Sequence, residues 1–157
     1  MMSTVIGAPA PDFTLPAPGG KQVALSELKG KHVLLYFYPK DMTPGCTTQA
    51  CDLRDRHPEV TGLNTVVLGI SPDPVKRHET FAAKHELPFT LLSDEDHEIS
   101  ELYGVWKLKQ MYGKQFMGIE RSTFLIDKNG VLAREWRKVK VAGHADEVVE
   151  AIRELEA

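Results

Sequence analysis

Cysteine is scarce in this chain, two residues in 157. That is too few to staple a fold of this length, so a disulfide scaffold is excluded and a hydrophobic core must hold the protein together. No stretch approaches the roughly 18 consecutive apolar residues of a membrane span. The N-terminal stretch, Met1 to Gly7, also lacks the basic segment and apolar run of an export signal. The expected setting is soluble and cytoplasmic, away from membranes. Charge of one sign is equally short: 19 Lys and Arg stand against 22 Asp and Glu, a net −3 at pH 7, with the signs interspersed. Without a basic stripe there is no footprint for nucleic acid, and without an acidic block no sign of a disordered tail. Repeats, linkers and low-complexity segments are missing too. With 42% hydrophobic residues, residues 1–157 are expected to form a single domain.

What the chain does have is a succession of apolar runs and helical stretches. Pro9 to Pro18 alternates Phe13 and Leu15 with polar residues, which suits an edge strand or extended arm. Ser26 is placed to cap one helical turn closed by Gly30. Val33 to Tyr38 is apolar without alternation, as in a central strand covered on both faces, and Pro39 ends it. The spacing then predicts a helix from Cys46 that kinks or stops at Pro58. A second buried strand follows at Thr65 to Ile70. Asp73-Pro74 opens a helix with proline at its first position, turning Val75, Phe81 and Ala82 inward until Leu87-Pro88. Phe89 to Leu92 is a third strand, and Glu98 to Tyr103 a short helix stopped by Gly104. Val105 to Gly118 has no clean period and is expected to be a loop, with Trp106, Met111, Tyr112 and Met117 packing in it or lining the mouth of a pocket. Ser122 to Ile126 and Val131 to Trp136 flank Asn129-Gly130, a hairpin signal. A last helix buries Val148, Val149, Ile152 and Leu155. His57, His78, His85 and His97 are expected to be solvated, His32 and His144 to end elements, and Lys40 and Asp41 to be solvated loop charges. The order predicts an α/β fold: a central mixed sheet with helices on both faces and the working site beyond the carboxyl ends of the strands.

Cys46 falls at such an end, just after Thr43-Pro44-Gly45, where a strand hands over to a helix. A thiol reacts as thiolate, and the positive first turn of a helix lowers a thiol pKa from about 8.5 toward or below neutrality. Cys46 is therefore the candidate nucleophile. Cys51, five residues on, is close enough in sequence to trap what Cys46 becomes.

The segment Tyr38-Pro39-Lys40-Asp41-Met42-Thr43-Pro44-Gly45-Cys46-Thr47-Thr48-Gln49-Ala50-Cys51 resembles the active-site segment of the peroxiredoxins, and within them the peroxiredoxin Q or bacterioferritin comigratory protein group. The likeness extends through Ala8 to Phe13, Leu68 to Ser71, Phe89 to Asp94, Tyr103 to Trp106 and Arg121 to Asp127. It implies a thioredoxin-like fold, hydroperoxide reduction without a cofactor or metal, and a monomer. Cys46 then supplies the sulfur. Thr43 offers a hydroxyl and the Cys46 backbone an N–H to steer the peroxide, and Arg121 stabilises the thiolate and the leaving oxygen. Pro39 shields the sulfenic acid, while Gly45 belongs to the turn. Gln49 stands where many peroxiredoxins carry a glutamate, and is a positioning residue that brings no negative charge. The resemblance implies that Cys51 condenses with the Cys46 sulfenic acid to a disulfide, reopened by thioredoxin. On an intact helix, residues five apart are turned by about 140° and have Cα atoms ~8–9 Å apart. A disulfide tolerates at most ~7 Å, so the helix is expected to unwind locally in each turnover.

Three other functions compete. A general thiol–disulfide oxidoreductase usually has a Cys-x-x-Cys pair. Metal carriage through Cys46, Cys51 and a histidine lacks a well-spaced third ligand. A non-enzymatic peroxide sensor differs in turning over slowly with excess reductant.

Overall fold

The computed structural model describes residues 4–156; Met1 to Ser3, part of the N-terminal stretch considered above, and Ala157 lie outside the described residues. In chain order the elements are strands β1 (Thr14–Ala17) and β2 (Lys21–Ala24), a 3-10 turn (Leu25–Leu28), β3 (His32–Phe37), helix α1 (Pro44–Gly62), β4 (Thr65–Ser71), α2 (Val75–His85), β5 (Thr90–Ser93), α3 (Glu98–Leu102), β6 (Trp106–Met111), β7 (Lys114–Ile119), β8 (Ser122–Ile126), β9 (Leu132–Trp136) and α4 (His144–Glu156). The main sheet runs β5-β4-β3-β8-β9. Strands β3, β4 and β5 are parallel, and β8 and β9 pair antiparallel beside them.

Every residue of β3 is buried because the sheet is covered on both faces. Leu34, Tyr36 and Tyr38 pack under α1, α4 and Phe81 of α2. Val33, Leu35 and Phe37 face Phe13, Leu15, Leu25 and Tyr103, contributed by the N-terminal hairpin, the 3-10 turn and the end of α3. Gly69 in β4 is required by this packing: a Cβ there would stand 2.8 Å from Leu91 and 2.9 Å from the Tyr36 ring. No helix among the described residues is long and apolar enough to cross a membrane.

Several local expectations change. Helix α1 does not stop at Pro58 but continues to Gly62. One backbone bond is lost there, but Leu53 and Val60 are buried on either side, and that tertiary packing carries the helix across the gap. Ser26 does not cap the 3-10 turn; its own N–H is taken by the Asp12 carboxylate at 3.0 Å. Pro74 is the N-cap of α2 rather than its first residue, so the helix begins at Val75, one residue later than the spacing predicts. The Asn129-Gly130 turn is held by Asp127, whose Oδ1 accepts the N–H groups of Asn129 and Val131.

The largest departure is Val105 to Gly118, which is not a loop. It contains β6 and most of β7, an antiparallel hairpin whose Tyr112-Gly113 turn has positive φ at both residues. The hairpin stands apart from the main sheet, so neither strand acquires the alternation that burial of one face imposes. Met111, Tyr112 and Met117 are accordingly exposed rather than packed, as are Leu108 and Phe116.

His144 and His32 do open their elements, and both are buried. Burial holds the His144 imidazole below its usual range, and its Nε2 lies 2.8 Å from the Thr123 hydroxyl. His57 is shifted the same way by burial. A histidine easier to protonate unfolded than folded penalises the folded state as pH falls below the unfolded value of about 6.5. Thermal stability is therefore expected to fall between pH 7.5 and 5. Replacing His144 with glutamine should flatten part of that slope in melting curves, and an unchanged slope would contradict the assignment.

Candidate active site

The chain leaves β3 at Phe37 and reaches α1 through a loop whose last residue, Thr43, is the N-cap, with Pro44 at the first helical position. Cys46 therefore lies in the first turn. The first helical bond is donated by Thr47 N–H to the Thr43 carbonyl at 2.9 Å. The N–H groups of Gly45 and Cys46 precede that bond and stay outside the ladder. The Cys46 side chain is 2% exposed, and both cysteines are free thiols.

Arg121 immediately precedes β8, and the register places Ser122 opposite Phe37 at the end of β3. Antiparallel pairing thus carries a residue 75 positions away in sequence to the mouth of the Cys46 turn. Its Nη2 donates to Cys46 Sγ at 3.2 Å, and its Nη1 donates to Gln49 Oε1 at 2.5 Å. Gln49, one turn beyond Cys46, is buried, so this contact to the guanidinium is closed to solvent. Gly45 completes the fit, since a Cβ there would stand 3.3 Å from Arg121 Nη2.

The Thr43 hydroxyl donates to the Lys40 carbonyl at 2.8 Å, which leaves its oxygen able to accept a hydrogen bond. Pro39 begins the same loop and is half-buried. Cys51 lies on the same unbroken helix as Cys46, partly buried. With Cα atoms ~8–9 Å apart on such a helix, the two sulfurs cannot join without a change of backbone.

Two residues expected in solvent are fully buried here. Asp41 and His78 are each 0% exposed. Asp41 Oδ1 accepts the Tyr38 hydroxyl at 2.5 Å, and its Oδ2 lies 2.6 Å from His78 Nδ1. His78 Nε2 meets the Leu92 carbonyl at 2.9 Å. The Asp41 N–H donates to Asp73 Oδ2 at 2.7 Å, and that oxygen also accepts the Ser71 hydroxyl. This network pins the loop before α1 to α2, β4 and β5. A signal for His78 existed: it lies three residues after Val75 and three before Phe81, on the buried stripe of α2. Asp41 had none, because its burial depends on partners remote in sequence.

Asp41, Asp73 and His78 bring possible ligand atoms within 4.8 Å of one another. Each is already engaged by protein groups, so the cluster is a satisfied polar network rather than an open metal site. Among the described residues neither cysteine takes part in such a cluster. Burial pushes the Tyr36 and Tyr38 phenols well above their usual range, so both stay neutral beside the site.

A helix-terminal thiol with a guanidinium on its sulfur, carried on a thioredoxin-like sheet, defines a thiol-dependent peroxidase. Residues 6–135 match the AhpC/TSA family, and the chain belongs to it. Among curated relatives, peroxiredoxin Bcp of Bacillus subtilis is 53% identical over 98% of both chains. Peroxiredoxin Bcp of Escherichia coli K12 is 48% identical over 92% of this chain and 93% of its own. Peroxiredoxin Q of Xanthomonas campestris superposes with a TM-score of 0.88 at 46% identity, covering 92% of each chain. A mutant PrxQ of Xylella fastidiosa reaches 0.91 at 37% identity over 98% of each. The chain thus falls in the peroxiredoxin Q, or bacterioferritin comigratory protein, group. A trapped intermediate/ligand complex of the Xanthomonas bacterioferritin comigratory protein, 45% identical with a TM-score of 0.88 and 92% coverage of each chain, concerns its alkyl peroxide reduction activity.

Proposed function

We propose that Cys46 is the sulfur that attacks hydroperoxides, and that Cys51 resolves the product as an intramolecular disulfide. The observation that carries this is the Arg121 guanidinium 3.2 Å from the Cys46 sulfur in the first turn of α1. Thiolate attack on the near oxygen breaks the O–O bond, gives Cys46 sulfenic acid and releases water or an alcohol. The free Gly45 and Cys46 N–H groups and Arg121 supply donors for the charge that develops on oxygen. Thr43, its proton already committed to Lys40, accepts the hydroperoxide O–H and so orients the incoming molecule. Pro39 shields the sulfenic acid, and Gln49 holds the guanidinium in place.

Local unwinding of α1 then brings Cys46 to Cys51. A dithiol protein of the thioredoxin type reopens the disulfide. Substrates are hydrogen peroxide and organic hydroperoxides, and the enzyme acts as a cytoplasmic monomer. The unbroken helix between the cysteines disfavours a general thiol–disulfide oxidoreductase, whose pair closes without unfolding.

A thioredoxin-coupled peroxidase assay tests the assignment. Cys46→Ser is expected to abolish peroxide consumption. Cys51→Ser should consume one equivalent and stall as sulfenic acid. Activity surviving in Cys46→Ser would overturn the assignment.

A further inference from the structure

Cys51 has a neighbour that attack on the peroxide does not use. Its Sγ lies 3.9 Å from Nδ1 of His85, the last residue of α2. The imidazole is set edge-on to Phe81, with ring centroids 5.3 Å apart. The His85 carbonyl accepts Arg54 Nη1 at 2.9 Å, which ties the end of α2 to α1 three residues beyond Cys51. The charged side chains nearest this contact in sequence are Asp52 and Arg54 on α1 and Lys84 and Glu86 flanking His85. Two elements therefore meet to put a ring nitrogen beside the second thiol.

We propose that His85 is the general base of disulfide formation, a role that rests on Cys51 being the resolving thiol. The Cys51 S–H gives its proton to His85 Nδ1. The thiolate attacks the sulfenic sulfur of Cys46, so that the S–S bond forms as the S–O bond breaks. The departing hydroxide takes a proton back from the imidazolium and leaves as water. The balance is one sulfenic acid plus one thiol giving one disulfide and one water, with His85 regenerated. Only the thiolate is an effective nucleophile, and a base held beside the sulfur supplies it where the attack occurs. The geometry also says which end travels. Arg54 and His85 hold the Cys51 side to α2, so the first turn, with Cys46, is the part that moves.

The test follows one equivalent of hydrogen peroxide added to the reduced full-length protein. Timed quenching with dimedone and mass spectrometry then reads sulfenic acid and disulfide separately. His85→Ala and His85→Asn are expected to form sulfenic acid at the wild-type rate. Both should close the disulfide about 10²-fold more slowly at neutral pH, and added imidazole should restore part of the rate in His85→Ala. Closure at the wild-type rate in either variant, or slow closure that imidazole does not touch, overturns the role of His85. Asparagine keeps a polar side chain but is no base, so its variant separates proton transfer from packing. Wild-type protein that never forms the Cys46–Cys51 disulfide would instead overturn the resolving role of Cys51, and the proposal with it.

Discussion

Replacing Arg121 with methionine is expected to lower the rate of peroxide reduction by about 10²–10³-fold, the usual loss when one preorganised donor to a developing negative charge is removed. Methionine keeps the length and the apolar packing but takes away both N–H contacts, to the Cys46 sulfur and to Gln49. Lysine should recover only part of the rate. It restores a positive charge but lacks the planar fork that reaches both partners at once. Stopped-flow measurement of the first peroxide turnover isolates this step from recycling. A rate for the methionine variant within threefold of wild type would show that the guanidinium is a bystander.

The second large effect is on stability. Asp41→Ala is expected to destabilise the fold by about 3–5 kcal/mol, since it removes one member of a buried charged or hydrogen-bonded pair and strands the others. The Tyr38 hydroxyl and His78 Nδ1 would both lose their acceptor at a site closed to water. His78→Leu alone strands Asp41 instead, with a loss of similar size. The double variant should be more stable than the sum of the two single losses, because an apolar replacement leaves fewer unmet polar groups. Denaturant unfolding of the four proteins forms the cycle. Additive losses would mean that the two side chains do not act as a pair.

The central strand, its all-buried character and the position of Cys46 at a helix start were legible because each rests on local pattern: an apolar run without alternation, then proline and glycine before the thiol. Arg121 was legible only through the resemblance, since nothing near it in sequence marks it as different from an exposed charge. The β8 register with β3 is what brings it to Cys46. Asp41 and the β6–β7 hairpin were missed for opposite reasons. Asp41 looks like a loop charge and is buried by partners from α2, β4 and β5. The hairpin looks like a loop because both its faces stay largely open, and period-2 patterning arises only when one face is covered. Pro58 signals a helix end correctly by its chemistry, and is outweighed by packing on both sides.

That proline has a further effect on how α1 comes apart. It has no N–H to offer the Arg54 carbonyl, so the ladder of backbone bonds lacks one rung between the cysteines and the docked end at Val60. Cooperativity along a helix passes through that ladder, and a missing rung divides the helix into two units with separate opening free energies. Amides from Thr47 to about Ala50 should exchange with solvent through brief local openings, whereas those around Val60 wait for global unfolding. The enzyme can then fray its catalytic turn thousands of times while the rest of α1 keeps the domain closed.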